Sequence, residues 1–176
     1  MPVPTPRLIW SSIALGAGGV VLLSIGLTEW FNLHPCHLCI FQRLLFMILA
    51  VLALTAALFA TGRGGRILGF AVALTAAAGL ATALYQSFLE RQPPSMDFSC
   101  VGAEPTLIER LVERLGEWQP LLFLATGFCD EMGPQFLGLS LANAALVGFL
   151  MALIAAVAAL MRHGQAPNVQ PRRDAI

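Results

Sequence analysis

Cys36-His-Leu-Cys39-Ile-Phe-Gln-Arg43-Leu-Leu-Phe-Met-Ile-Leu-Ala50-Val-Leu-Ala-Leu-Thr-Ala-Ala-Leu-Phe-Ala60-Thr61 joins a pair of thiols to an apolar stretch. Between Ile40 and Thr61 the single charge is Arg43. A bilayer core about 30 Å thick takes about 20 helical residues, so this stretch is long enough to cross one. The dithiol then lies at the N-terminus of a membrane helix, where unpaired backbone N–H groups favour negative charge. Arg43, one turn along the same face, adds a full positive charge. Two sulfurs at C-x-x-C spacing can bridge, and their thiolates react more readily than ordinary thiols. The stretch reads as a thiolate-stabilising site at a membrane surface.

The rest of the chain has the same character. Of its 176 residues, 57% are hydrophobic and 11% charged, with a mean hydropathy of +0.77 and no lysine. A soluble domain carries about 25% charged residues. Four long runs avoid charge: Leu8–Thr28, Leu44–Thr61, Ile67–Leu89 and Met132–Met161. These predict an all-α membrane protein, a four-transmembrane-helix bundle forming one integral membrane domain over residues 1–176. Its spans fall at about 8–30, 40–61, 67–89 and 136–161, with loops at about 31–39 and 90–135. The first run is longer than a signal-peptide core and ends in Glu29-Trp30, a poor cleavage site, so it reads as an uncleaved anchor. Trp10, Trp30 and Tyr85 fall near helix ends, where an aromatic belt is expected.

Arginines orient the bundle. Arg7, Arg63, Arg66, Arg162, Arg172 and Arg173 flank one side, whereas residues 90–131 hold three arginines against eight acidic residues. The positive-inside rule makes both termini cytoplasmic and both cysteine-bearing loops external. All four cysteines then share a compartment where disulfides persist. Cys36 and Cys39 lie in the first loop, and Cys100 and Cys129 lie far apart in the second. Three pairings are open. Two structural disulfides stapling the loops would be the bland outcome, although a bridge within C-x-x-C closes too small a loop to contribute much chain entropy. Zinc would need a second half-site with matching spacing, which is missing. Haem attachment would need His directly after the second cysteine, where Ile40 stands. His34 and His37 read as loop residues or as tuners of nearby sulfur.

Within the second loop, Thr106-Leu-Ile-Glu109 is a capping box. Leu107, Ile108, Leu111, Val112 and Leu115 follow at helical spacing, opposite Glu109, Arg110, Glu113 and Arg114. This predicts a short amphipathic surface helix, lying flat on the membrane or packed on protein. In the spans, small residues recur every fourth position: Ala14 and Gly18, then Thr75, Gly79 and Ala83, then Ala144, Gly148, Ala152 and Ala156. Such stripes let helix backbones approach closely.

Cys36-His-Leu-Cys39-Ile-Phe-Gln-Arg43 matches C-x-x-C-I-x-x-R, and with it the chain resembles the disulfide bond formation protein B (DsbB) family. The likeness covers nearly the whole chain, including Tyr85 before Cys100 and Phe136-Leu-Gly-Leu139 after Cys129. It implies a quinone-dependent thiol oxidase of the bacterial inner membrane, whose partners are a periplasmic DsbA-like thioredoxin-fold protein and the membrane quinone pool. It implies no nucleic-acid partner. Cys100 would form the mixed disulfide with that partner, Cys129 would resolve it, and electrons would reach Cys36–Cys39 through a Cys36–Cys100 bond. Cys39 would meet ubiquinone or menaquinone, with Arg43 beside it and Gln86 and Ser87 as further quinone-binding candidates. Some members carry an acidic residue where Gln42 stands and a histidine where Ser87 stands.

Energetics call for such a sink. Oxidising a partner near about −120 mV with a structural disulfide below about −300 mV is uphill by roughly 180 mV, or about 8 kcal/mol for two electrons. The chain has no flavin or nucleotide fingerprint to supply one. Competing readings are a vitamin K epoxide reductase-like enzyme, whose C-x-x-C lies late in its bundle, and a non-enzymatic tetraspan with stapled loops.

Overall fold

Among the described residues, four helices are long and apolar enough to cross a membrane: Pro6–Phe31, His37–Leu58, Gly64–Leu89 and Asn143–Arg162. The shortest has 20 residues, about 30 Å at 1.5 Å per residue. They belong to a computed structural model that describes residues 5–32, 34–59, 62–89, 91, 106–125, 127 and 141–165. In chain order the helices are α1 (Pro6–Phe31), α2 (His37–Leu58), α3 (Gly62–Leu89), α4 (Leu107–Trp118), α5 (Pro120–Phe123) and α6 (Leu141–Gln165). No strand occurs among the described residues. The chain is an all-α, multi-pass membrane protein.

Local chemistry sets the helix ends. Pro6 opens α1, where its missing N–H would have had no intrahelical partner. Asn32 closes α1 at φ 47, ψ 46, a left-handed conformation that asparagine tolerates, and its N–H donates to the Thr28 carbonyl. Cys36 is the N-cap of α2 in extended conformation, and its carbonyl accepts from the Ile40 N–H at 3.1 Å.

The spanning helices form a closed ring, with α1 against α2, α2 against α3, α3 against α6 and α6 against α1. In the middle, Phe46 of α2 stacks on Phe149 of α6, centroids 3.9 Å apart and planes 14° from parallel. Gly79 of α3 lies against the Phe149 ring, where a Cβ would collide with it. The glycine is required so that α3 can come that close. Gly148 of α6 approaches Phe46 in the same layer, and Ala83 and Ala156 are buried nearby in the core. Leu15, Leu22, Leu74 and Met151 point outward, as lipid-facing side chains do.

Two sequence expectations need correcting. Trp10 is not a belt residue: it is 0% exposed and packs beside Gly69 and Leu160, whereas Trp30 is 85% exposed. A belt requires the indole to reach the interface, and Trp10 faces inward on α1 with Ile13, Ala17 and Val21. Gly18 likewise has open space where a Cβ would go, so α1 packs chiefly through Ile13, Ala17 and Val21, with Ala14 beside them, and Gly18 makes no close helix approach.

The capping box on α4 is formed in full. Glu109 N–H donates to Thr106 Oγ1 at 3.3 Å, and Thr106 N–H donates to Glu109 Oε2 at 2.7 Å. Val112 of α4, Phe123 of α5 and Ile40 of α2 make a small second core, with Leu44, Met47, Ile108 and Leu122 around it. Gly116 sits over the Phe123 carbonyl, where a Cβ would come within 3.0 Å. The short helix is thus packed on protein through Val112 and Gly116, while Leu107, Leu111 and Trp118 stay exposed.

Candidate active site

Where α2 begins and α3 ends, the bundle interior turns polar. Gln42, Arg43, Gln86 and Ser87 are the buried polar or charged side chains among the described residues, all at this end. Around them Cys36 is buried and Cys39 half-buried. Cys36 Sγ donates to Cys39 Sγ at 3.2 Å. Cys36 is the N-cap and Cys39 the third residue of α2, so both sulfurs lie at the positive end of the helix dipole.

Helical spacing sends the next polar residues to different neighbours. Gln42 faces α3: its Nε2 donates to Gln86 Oε1 at 2.8 Å, and Gln86 Nε2 donates to Cys39 Sγ at 3.2 Å. Arg43 faces α1. Its Nε donates to Ser24 Oγ (3.1 Å), its Nη2 to Thr28 Oγ1 (2.8 Å) and the Ser24 carbonyl (3.4 Å), and its Nη1 to the Leu122 carbonyl (3.1 Å). Four of its five N–H groups are thereby committed, which makes Arg43 a rivet through α1, α2 and the end of α5. Its guanidinium stands one helical turn after Cys39 on α2. Ser87 Oγ donates to Asn143 Oδ1 at 3.3 Å and so ties α3 to α6.

The segment after α5 returns to the dithiol. Gly127 N–H donates to the Pro35 carbonyl at 3.2 Å, and its Cα packs on the His34 carbonyl so tightly that a Cβ would overlap it. Beside His37, between α4 and α5, a cavity of about 310 Å³ is lined by Val112, Glu113, Glu117 and Phe123. Of the candidate site residues, Cys36, Cys39, Arg43, Gln86 and Ser87 converge on one end of the bundle; Cys100 and Cys129 lie outside the described residues. Sequence reasoning gave Gln42 no role beyond its departure from the family pattern. Its signal was positional: an uncharged polar residue three places after Cys39, within an otherwise apolar run.

A dithiol at the head of a membrane-spanning helix, with buried donors directed at one of its sulfurs, defines a membrane disulfide oxidoreductase. Comparison with known proteins names the class more closely. Residues 6–159 match the family described as disulfide bond formation protein DsbB, and the chain belongs to it. A disulfide bond formation protein B of Dechloromonas aromatica is 34% identical over 168 residues, covering 91% of this chain and 95% of the relative. Two from Burkholderia lata, proteins B 1 and B 2, are 35% and 36% identical over 156 and 145 residues. They cover 88% and 80% of this chain and 85% and 81% of the relatives.

Proposed function

We propose that this chain is a thiol:quinone oxidoreductase of the bacterial inner membrane, multi-pass with cytoplasmic termini. It reoxidises a periplasmic, DsbA-like thioredoxin-fold protein and so supports disulfide bond formation. The observation that carries the reading is Cys39, a half-buried sulfur at a helix N-terminus that accepts hydrogen bonds from both Cys36 and Gln86. That environment favours the thiolate, the form that attacks and leaves in exchange.

The reduced partner's thiolate attacks the Cys100–Cys129 disulfide at Cys100, releasing Cys129 as thiolate. The partner's second thiolate then displaces Cys100, leaving the partner oxidised and the Cys100–Cys129 pair reduced. Cys100 attacks Cys36 of the Cys36–Cys39 disulfide, and Cys39 leaves as thiolate. Cys129 displaces Cys36, which regenerates the Cys100–Cys129 bond and leaves the first pair carrying two electrons and two protons. Cys36, 3.2 Å from Cys39, then closes the first-loop disulfide as those electrons depart.

Ubiquinone or menaquinone, when bound, supplies the sink, accepting two electrons and two protons per dithiol. The residues fit such a group: Cys39 is half-buried at the end of an apolar helix, and Arg43 has one N–H beyond its four bonds. Arg43 is the leading candidate for holding a quinone oxygen because it is the charged donor one turn from Cys39; Gln86 and Ser87, which donate to Cys39 and Asn143, are the weaker ones.

Purified protein, reduced thioredoxin-fold partner and a soluble quinone test the reading directly. Quinone absorbance should fall with wild type and not with Cys39→Ser. No loss of quinone with wild type overturns the function, and equal loss with the variant overturns the role of Cys39.

A further inference from the structure

Gln42 and Gln86 are 4% and 3% exposed in a bundle whose buried side chains are otherwise mostly hydrocarbon. An amide placed there is costly unless its polar atoms are used, and leucine would fill similar space. Here the use is directional. Gln42 Nε2 donates to Gln86 Oε1, which turns the other end of the Gln86 amide, Nε2, toward Cys39. Cys36 donates to the same sulfur. Donors directed at a sulfur are worth more to the thiolate than to the thiol, because the anion is the stronger acceptor.

We infer that Gln86, held in orientation by Gln42, is a positioning residue that stabilises the Cys39 thiolate. The inference rests on the exchange role proposed for Cys39. Hydrogen bonds to the charged form of a group favour that form. Arg43 contributes charge, but its bonds go to Ser24, Thr28 and Leu122; the directional contact comes from α3. An amide suits the task in a membrane because it does not titrate: its N–H is present at every pH and adds no buried charge. A carboxylate at position 86 would, once ionised, have no donor to give and would repel the thiolate.

The test uses the full chain in detergent with Cys36, Cys100 and Cys129 each changed to Ser, so that Cys39 is the sole thiol. The rate of iodoacetamide alkylation is followed against pH. In this background Gln86→Leu should raise the midpoint of thiolate formation by about one pH unit, a roughly tenfold loss of thiolate below the midpoint. Gln86→Met, unbranched and close in volume, should do the same and covers the case in which leucine does not fold. Gln86→Glu should raise the midpoint at least as far. Gln42→Leu should shift it less, in the same direction, and add nothing in the Gln86→Leu background, since it acts through Gln86. An unmoved midpoint in a folded Gln86 variant overturns the inference, as does a full additional shift from Gln42→Leu. Quinone and partner are absent from the assay. Failure of wild type to reduce quinone would therefore strike the proposed function alone, and an unmoved midpoint would strike this inference alone.

Discussion

At Phe46, α2 meets α6 ring against ring; one turn earlier, at Gln42, it meets α3 amide to amide. The middle of the bundle is held by shape, with Gly79 and Gly148 admitting the two phenylalanine rings. The dithiol end is held by directed polar bonds: Arg43 to α1 and α5, Gln42 to α3, and Ser87 to α6. Apolar packing between membrane helices tolerates small rotations, because lipid competes for the same surface. A hydrogen bond that weakens steeply with angle does not. The polar end therefore fixes helix rotation where a sulfur must be presented accurately, and the apolar middle holds the ring closed.

The contrast can be broken most severely at the sulfur. Cys39→Ser should lower quinone reduction by about a thousandfold or more, while the thermal unfolding midpoint changes little. Gly79→Leu attacks the other region. It should cost about 3 kcal/mol through collision with Phe149, and combining it with Phe149→Ala should restore part of that in chemical unfolding.

Arg43 joins both regions and separates the two roles given to it. Arg43→Ala should destabilise by about 2 kcal/mol, because it leaves the Ser24, Thr28 and Leu122 acceptors unmatched. It should also raise the apparent KM for quinone about tenfold. Thr28→Val removes one of its partners and should cost about 1 kcal/mol with KM unchanged. A parallel rise in KM would show that the rivet and the quinone contact cannot be separated. Val112→Ala should cost about 1 kcal/mol, seen as faster hydrogen exchange in 106–125 and not in the spans. Smallest is Thr106→Ala, which should loosen α4 by roughly 1 kcal/mol or less, read by circular dichroism of the chain.

Features written in neighbouring residues were legible beforehand. Thr106 and Glu109 are three apart and formed their box, and the long apolar runs became the four spans. The dithiol lies at the start of α2 because Cys36 and Cys39 stand just ahead of an apolar run. What was not legible depends on how the helices rotate against each other. Gln86 meets Gln42 across 44 residues of chain and Cys39 across 47, and no local pattern encodes which face of α3 turns inward. The same reason hid the Ser24 and Thr28 acceptors of Arg43. Trp10 misled because nearness to a helix end was read as nearness to the interface. Rotation about the α1 axis decided otherwise, burying the indole with Ile13 and Ala17.

Leu122 and Gly127 have a mechanical consequence. One offers its carbonyl to the Arg43 guanidinium, and the other gives its N–H to Pro35. A strip clamped at two points five residues apart cannot swing as a rigid arm about either of them. The dithiol is thereby flanked by Pro35 on one side and Gly127 on the other. Any side chain grown at position 127 would wedge the two apart against the His34 carbonyl.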